Sequence, residues 1–98
     1  MTIDKNRAGD TLTLALTGRL DTTTAPQLEA VVKADLDGVK TLKYDFAGLE
    51  YISSAGLRVL LFSQKQMNQQ GTMTITNVNE SIMEVFEITG FSDILVIE

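Results

Sequence analysis

The sequence predicts an α/β fold: a mixed β-sheet of about five strands, elements in the order ββαβαβαβ, with helices packed on it. Three observations carry this. Apolar residues alternate with a period of two in Leu12, Leu14 and Leu16, again in Leu42, Tyr44 and Phe46, and in Met73 and Ile75. Between these runs the apolar spacing lengthens to that of a helix, the pattern of crossover units. The first two strands are separated only by the turn Ala8-Gly9-Asp10, which makes them a hairpin and the sheet mixed.

Thr2 to Arg7 reads as a short edge strand, and Thr11 to Thr17 as a half-buried one. Gly18-Arg19-Leu20-Asp21 leaves that strand, with Gly18 marking a bend or a close approach. A helix then runs from Ala25 to about Leu36 and closes at Asp37-Gly38. Thr24 is placed to cap it, Gln27 stands at capping-box spacing, and Pro26 is tolerated in the first turn. Leu42, Tyr44 and Phe46 form an inner strand, and Gly48 to Ser53 a connection. The next helix runs from Ser54 to about Gln69, its stripe made by Leu57, Leu60, Leu61 and Gln64 and widened by Val59 and Phe62. Gly71 ends it as the residue after the helix. After the strand around Met73 and Ile75, a third helix carries Ile82, Met83, Val85, Phe86 and Ile88, capped by Asn79 or Ser81. Gly90 is its expected left-handed terminator, and Ile94 to Ile97 the last strand. Phe62, Met67, Met73, Met83 and Phe86 are assigned to the core or its margin.

Composition narrows the function. The 98 residues are expected to form one domain, 1–98, and 44 % apolar with 21 % charged residues is ordinary for a folded soluble chain. A net charge of −5, with eight scattered Lys and Arg, argues against a nucleic-acid partner. With no cysteine or histidine, thiol catalysis, disulfides, the usual zinc sites and an imidazole base are excluded. No metal or cofactor site is expected. Neither a signal-peptide core nor a membrane-spanning segment is present, so the expected place is the cytoplasm, without direct membrane insertion.

Ser53 and Ser54 sit where a strand's connection meets a helix, at the carboxyl edge of the sheet where open α/β folds place their chemistry. The first amides of a helix lack internal partners and its dipole favours negative charge there. A phosphate at Ser54 would meet the amides of Ala55, Gly56 and Leu57, and Gly56 would let another chain come close. The plainer alternative is that Ser53 or Ser54 is simply the helix cap. Asp21, Asp45 and Glu50 offer carboxylates, but no base is placed to activate Ser54, and Gly48 and Gly56 lack the lysine and spacing of a nucleotide loop. An enzyme is not expected.

Gly18-Arg19-Leu20-Asp21, Asp45-Phe46-Ala47-Gly48-Leu49 and the run from Tyr51 through Ser53-Ser54-Ala55-Gly56-Leu57-Arg58 to Leu61 resemble the STAS domain of anti-sigma factor antagonists. The resemblance continues through Gly71-Thr72-Met73-Thr74-Ile75 and Val85 to Phe91, nearly the whole chain. It implies a switch protein whose unphosphorylated form binds an anti-sigma factor, itself a serine protein kinase, and so releases the sigma factor. Phosphorylation switches it off, and a PP2C-type phosphatase restores it. The phosphorylated serine matches Ser54, with Ser53 in reserve, and the acidic residue near it matches Asp21. Where the family often has Asp, this chain has Ser53, and Ala55 stands where many members carry a second hydroxyl.

The implied partner surface gathers Arg19, Asp21, Thr22, Thr23 and Thr24 from one loop with Ser53, Ser54, Gly56, Leu57 and Arg58 from the next. They converge if both loops open on the same sheet edge. Leu57 is otherwise a core residue and Arg58 a solvated one. The alternative function is that of a non-phosphorylated STAS interaction module of a lipid-transport or sensory complex. The sequence does not decide the oligomeric state; a monomer is the expectation, since exposed edge strands are usually guarded.

Overall fold

Leu12, Leu14 and Leu16 turn one face of the sheet inward, and the strands laid beside them repeat the pattern. The computed structural model describes residues 1–98. Strands β1 (Thr2–Ala8) and β2 (Thr11–Leu20) pair antiparallel. β2 runs parallel to β3 (Thr41–Ile52), which runs parallel to β4 (Thr72–Thr76), in the order β1-β2-β3-β4. The register aligns Leu12 with Leu42 and Met73, and Leu14 with Tyr44 and Ile75, all buried. Their neighbours Thr13, Lys43 and Thr74 face the other side, where Lys43 is exposed. Helices α1 (Ala25–Asp35), α2 (Ser54–Gln70) and α3 (Glu80–Thr89) cover the apolar face.

β3 is longer than its alternation predicts, and Gly48 to Ile52 are strand rather than connection. Register with β2 shifts twice, between Ala15↔Asp45 and Thr17↔Gly48 and again between Gly18↔Leu49 and Arg19↔Tyr51. Each shift places an extra residue in β3, a bulge that breaks the period of two. The buried positions accordingly move from Leu42, Tyr44 and Phe46 to Leu49 and Ile52. β3 therefore delivers α2 directly from the sheet edge.

The expected fifth strand shrinks to a single parallel bridge, Ile75↔Ile97. The amides of Ile94 and Leu95 both donate back to the Phe91 carbonyl, so the chain is still turning there after the 3₁₀ turn Phe91–Asp93. Only Val96 and Glu98 reach Ile75 by hydrogen bond. The helix ends follow the sequence. Gly71 ends α2 with φ 178°, an extended conformation; glycine is required because a Cβ there would strike the Lys40 carbonyl, whose oxygen accepts from Thr72 N. α3 is capped by Asn79, whose Oδ1 accepts from Ile82 N, and not by Ser81; Gly90 is left-handed as expected.

Inside the core, the Tyr44 hydroxyl and Ser63 Oγ lie 2.8 Å apart, and Ser63 donates to the Val59 carbonyl at 2.9 Å. Burial pushes the Tyr44 phenol well above its usual range. Met67, Met73 and Phe86 are core, whereas Phe62 is not: it is 40 % exposed on the outer side of α2. No helix is long and apolar enough to cross a membrane.

Candidate functional site

Parallel pairing of β2 with β3 decides where the two loops go. Leu20 opposes Ile52 at the ends of the strands, and Ser53 N donates to the Leu20 carbonyl at 2.9 Å. The turn after β2 and the start of α2 therefore open side by side on the carboxyl edge of the sheet. The backbone from Arg19 to Thr24 thus lies beside the start of α2, with Ser54 and Arg58 exposed there.

Ser53 is the cap of α2. Its backbone is extended, and its Oγ accepts from Gly56 N at 3.4 Å. Its carbonyl accepts from Leu57 N at 2.9 Å. Ser54 is the first helical residue and is exposed, with no hydrogen bond to its side chain. Ser53 thus closes the helix end and engages two of the three amides expected to meet a phosphate, those of Gly56 and Leu57, while Ser54 presents a hydroxyl without a partner.

Gly56 and Leu57 face inward, which corrects their place on the partner surface. A Cβ on Gly56 would lie 2.7 Å from Leu20 Cγ and 2.9 Å from Ile52 Cγ1. Close approach is indeed what Gly56 permits, but the chain that approaches is its own sheet. Leu57 is buried in the core, as its place in the apolar stripe implies. Arg58, on the other side of the helix, is exposed and makes no ion pair.

The turn after β2 is organised by Asp21 rather than by a capping box. Asp21 Oδ1 accepts from Thr23 N and Thr24 N, each at 3.0 Å. Thr24 turns its hydroxyl back, accepting from Asp21 N at 2.9 Å and donating to the Arg19 carbonyl at 2.8 Å. Thr24 is therefore unavailable to cap α1, and Gln27 instead donates to the Met1 carbonyl at 3.4 Å. Hydrogen bonds from the loop, the Thr24 amide foremost, hold the Asp21 carboxyl below the usual carboxylate range. Thr22 and Thr23 are exposed at the tip.

One element escaped the sequence reasoning. The Arg19 guanidinium lies 4.2 Å from the centre of the Tyr51 ring and 3.8 Å from Asp21 Oδ2, a stacked pair that ties the end of β2 to the end of β3. Arg19 and Tyr51 are register partners, so the pairing is legible only once β3 is extended past its bulges. A groove between α1 and α2 is lined by Pro26, Glu29, Lys33, Arg58, Val59 and Phe62, among others. No cluster of acidic side chains is arranged to hold a metal ion.

A family model described as "Mlab, STAS domain" matches residues 3–97. BtrV of Bordetella bronchiseptica, assigned as an anti-sigma factor antagonist, is 38 % identical over 96 residues, 96 % of this chain and 83 % of BtrV. The anti-sigma-B factor antagonist of Listeria monocytogenes is 30 % identical over 96 residues, 96 % of this chain and 84 % of that protein. Among solved structures, the phosphorylated form of the Bacillus cell fate determinant SpoIIAA shares the fold. Its TM-score is 0.78 at 19 % identity, over 99 % of this chain and 91 % of that one.

Proposed function

The chain belongs to the STAS-domain family of anti-sigma factor antagonists, and from that premise we propose that it is a binding switch, not an enzyme, operated at Ser54. Unphosphorylated, it docks on an anti-sigma factor through the sheet edge that carries Ser54 and the Asp21 turn, and the sigma factor is released. The anti-sigma factor is also a serine kinase, acting in the cytoplasm. The γ-phosphoryl group of ATP passes to Ser54 Oγ, the hydroxyl gives up its proton and ADP leaves. A PP2C-type phosphatase hydrolyses the ester and returns the serine.

The observation that supports Ser54 is its exposed, unbonded hydroxyl at the first position of α2, while Ser53 beside it is spent on the cap. Phosphate there carries a charge of about −1.5 to −2. The folded chain tolerates it, because an anion at a helix start gains about 0.3–1 kcal/mol. A partner packed over the same edge meets new bulk and charge, in addition to the carboxylate of Asp21. The switch is thus electrostatic and needs no change of fold.

The test compares three proteins for binding to a kinase-type anti-sigma factor from the same genome: unmodified, Ser54→Ala, and phosphoserine at 54. The first two should bind alike and the third should lose affinity. Equal binding by all three contradicts the switch. A second reading, a non-phosphorylated interaction module of a lipid-transport or sensory complex, is favoured by Ser53 standing where the family often has Asp. It predicts that the anti-sigma factor binds none of the three.

A further inference from the structure

The groove between α1 and α2 encloses about 360 Å³ and is lined at one end by Thr22 of the Asp21 turn and by Ala55, the residue after Ser54. Its floor is apolar, with Pro26, Ala55, Val59 and the half-exposed ring of Phe62. Of its three charged side chains, Glu29 and Lys33 neutralise one another at 2.7 Å. Arg58 has no hydrogen bond and no ion pair. On a chain of net charge −5, this groove therefore carries one uncompensated positive charge over an apolar floor. The complement of such a surface is an apolar side chain flanked by a carboxylate.

Arg58 also stands four residues after Ser54 on the same helix. Residues at that spacing share a face, with Cβ atoms about 5–6 Å apart. A guanidinium spans that distance easily, and its planar fork suits a phosphate as well as a carboxylate. Arg19 is not free for this task, since it is held over Tyr51 and beside Asp21.

We infer that Arg58 reads the state of Ser54. With Ser54 unmodified, Arg58 holds a carboxylate of the docked anti-sigma factor, whose neighbouring apolar side chain enters the groove against Phe62. With Ser54 phosphorylated, the same guanidinium turns back to the phosphate on its own helix. The phosphate wins because it carries more charge and is already tethered one turn away. Phosphorylation thus removes an attraction as well as adding a repulsion. The inference rests on Ser54 being the switch residue.

Two measurements test it. In the protein with phosphoserine at 54, the Arg58 Nε–H resonance should move downfield and exchange more slowly with water than in the unmodified protein, while those of Arg7 and Arg19 stay in place. In the unmodified protein, Arg58→Gln should weaken binding to the same kinase-type anti-sigma factor by about tenfold, the loss of one charge-assisted hydrogen bond. Arg58→Lys should keep part of that affinity, and phosphorylation should cost the Arg58→Gln protein less than it costs the wild type. An unmoved Arg58 resonance, a shift at Arg19 instead, or wild-type affinity in Arg58→Gln overturns the inference while leaving Ser54 as the switch. Failure of the unmodified wild type to bind overturns the switch itself.

Discussion

Gly56→Ala sets two opposing effects against each other at the start of α2. Within a helix, alanine is favoured over glycine by about 0.8–1 kcal/mol. The sheet opposes it: the new Cβ would lie 2.7 Å from Leu20 Cγ and 2.9 Å from Ile52 Cγ1, where 3.4 Å or more is ordinary contact. Leu20 is completely buried and Ile52 nearly so, which leaves neither side chain space to withdraw into. Overpacking of this kind costs about 1–3 kcal/mol. The steric effect wins, and the net destabilisation is about 1 kcal/mol. In a domain of this size that lowers the melting temperature by about 4–8 °C. Thermal and urea unfolding followed by circular dichroism measure it. A rise in stability would mean that the helix start lifts freely from the sheet, which would refute the tight seating of the Ser54 edge.

Other outcomes follow from the same geometry. Ser63→Ala leaves the Tyr44 hydroxyl buried without its partner and should cost about 1–3 kcal/mol, against about 0.5–1.5 kcal/mol for Tyr44→Phe. The double variant should cost clearly less than the sum in urea unfolding; strict additivity would mean the two hydroxyls do not interact. Acid should destabilise through Asp21 and Asp45. The Asp45 carboxyl is held below its ordinary range by the Asn77 side-chain amide and the Ala47 N–H, as Asp21 is by its own loop. Both titrate at about 3.9 when unfolded, so their contribution is whole above that pH and is lost as pH falls through the lower folded values. Urea midpoints between about pH 5 and pH 2 should fall less steeply in an Asp21→Asn, Asp45→Asn double variant, and an unchanged slope would contradict the assignment.

Much of the fold was legible because local pattern and tertiary packing agree. The period of two in β2 and β4, the helical stripe of α2 and the left-handed Gly90 all survive into the structure. What was hidden depends on pairs of residues far apart in the chain. The bulges that extend β3 arise from register with β2, so Leu49 and Ile52 look like loop residues in isolation. The Lys40 carbonyl that demands glycine at 71 lies on a different element. Phe62 has core chemistry and lies next to the apolar stripe of α2, yet it is left at the mouth of a groove because α1 packs beside it rather than over it.

The site shows the same division. Two adjacent serines at a strand–helix junction mark the place, and their separate roles follow only from the extended backbone that makes Ser53 the cap. Asp21 stands out in sequence only by resemblance; its hold on Thr23 and Thr24 is a turn that competes with the expected Thr24–Gln27 box and prevails. The inward turn of Gly56 and Leu57 follows from the short distance between α2 and the sheet edge.

The most direct measurement is to incubate the protein with ATP and a kinase-type anti-sigma factor from the same genome, then record intact mass, map the modified peptide and compare binding before and after. The switch predicts one phosphoryl group, on Ser54, together with loss of tight binding. No modification, with the same kinase active on another STAS protein, or a phosphoryl group on Ser54→Ala, would contradict it.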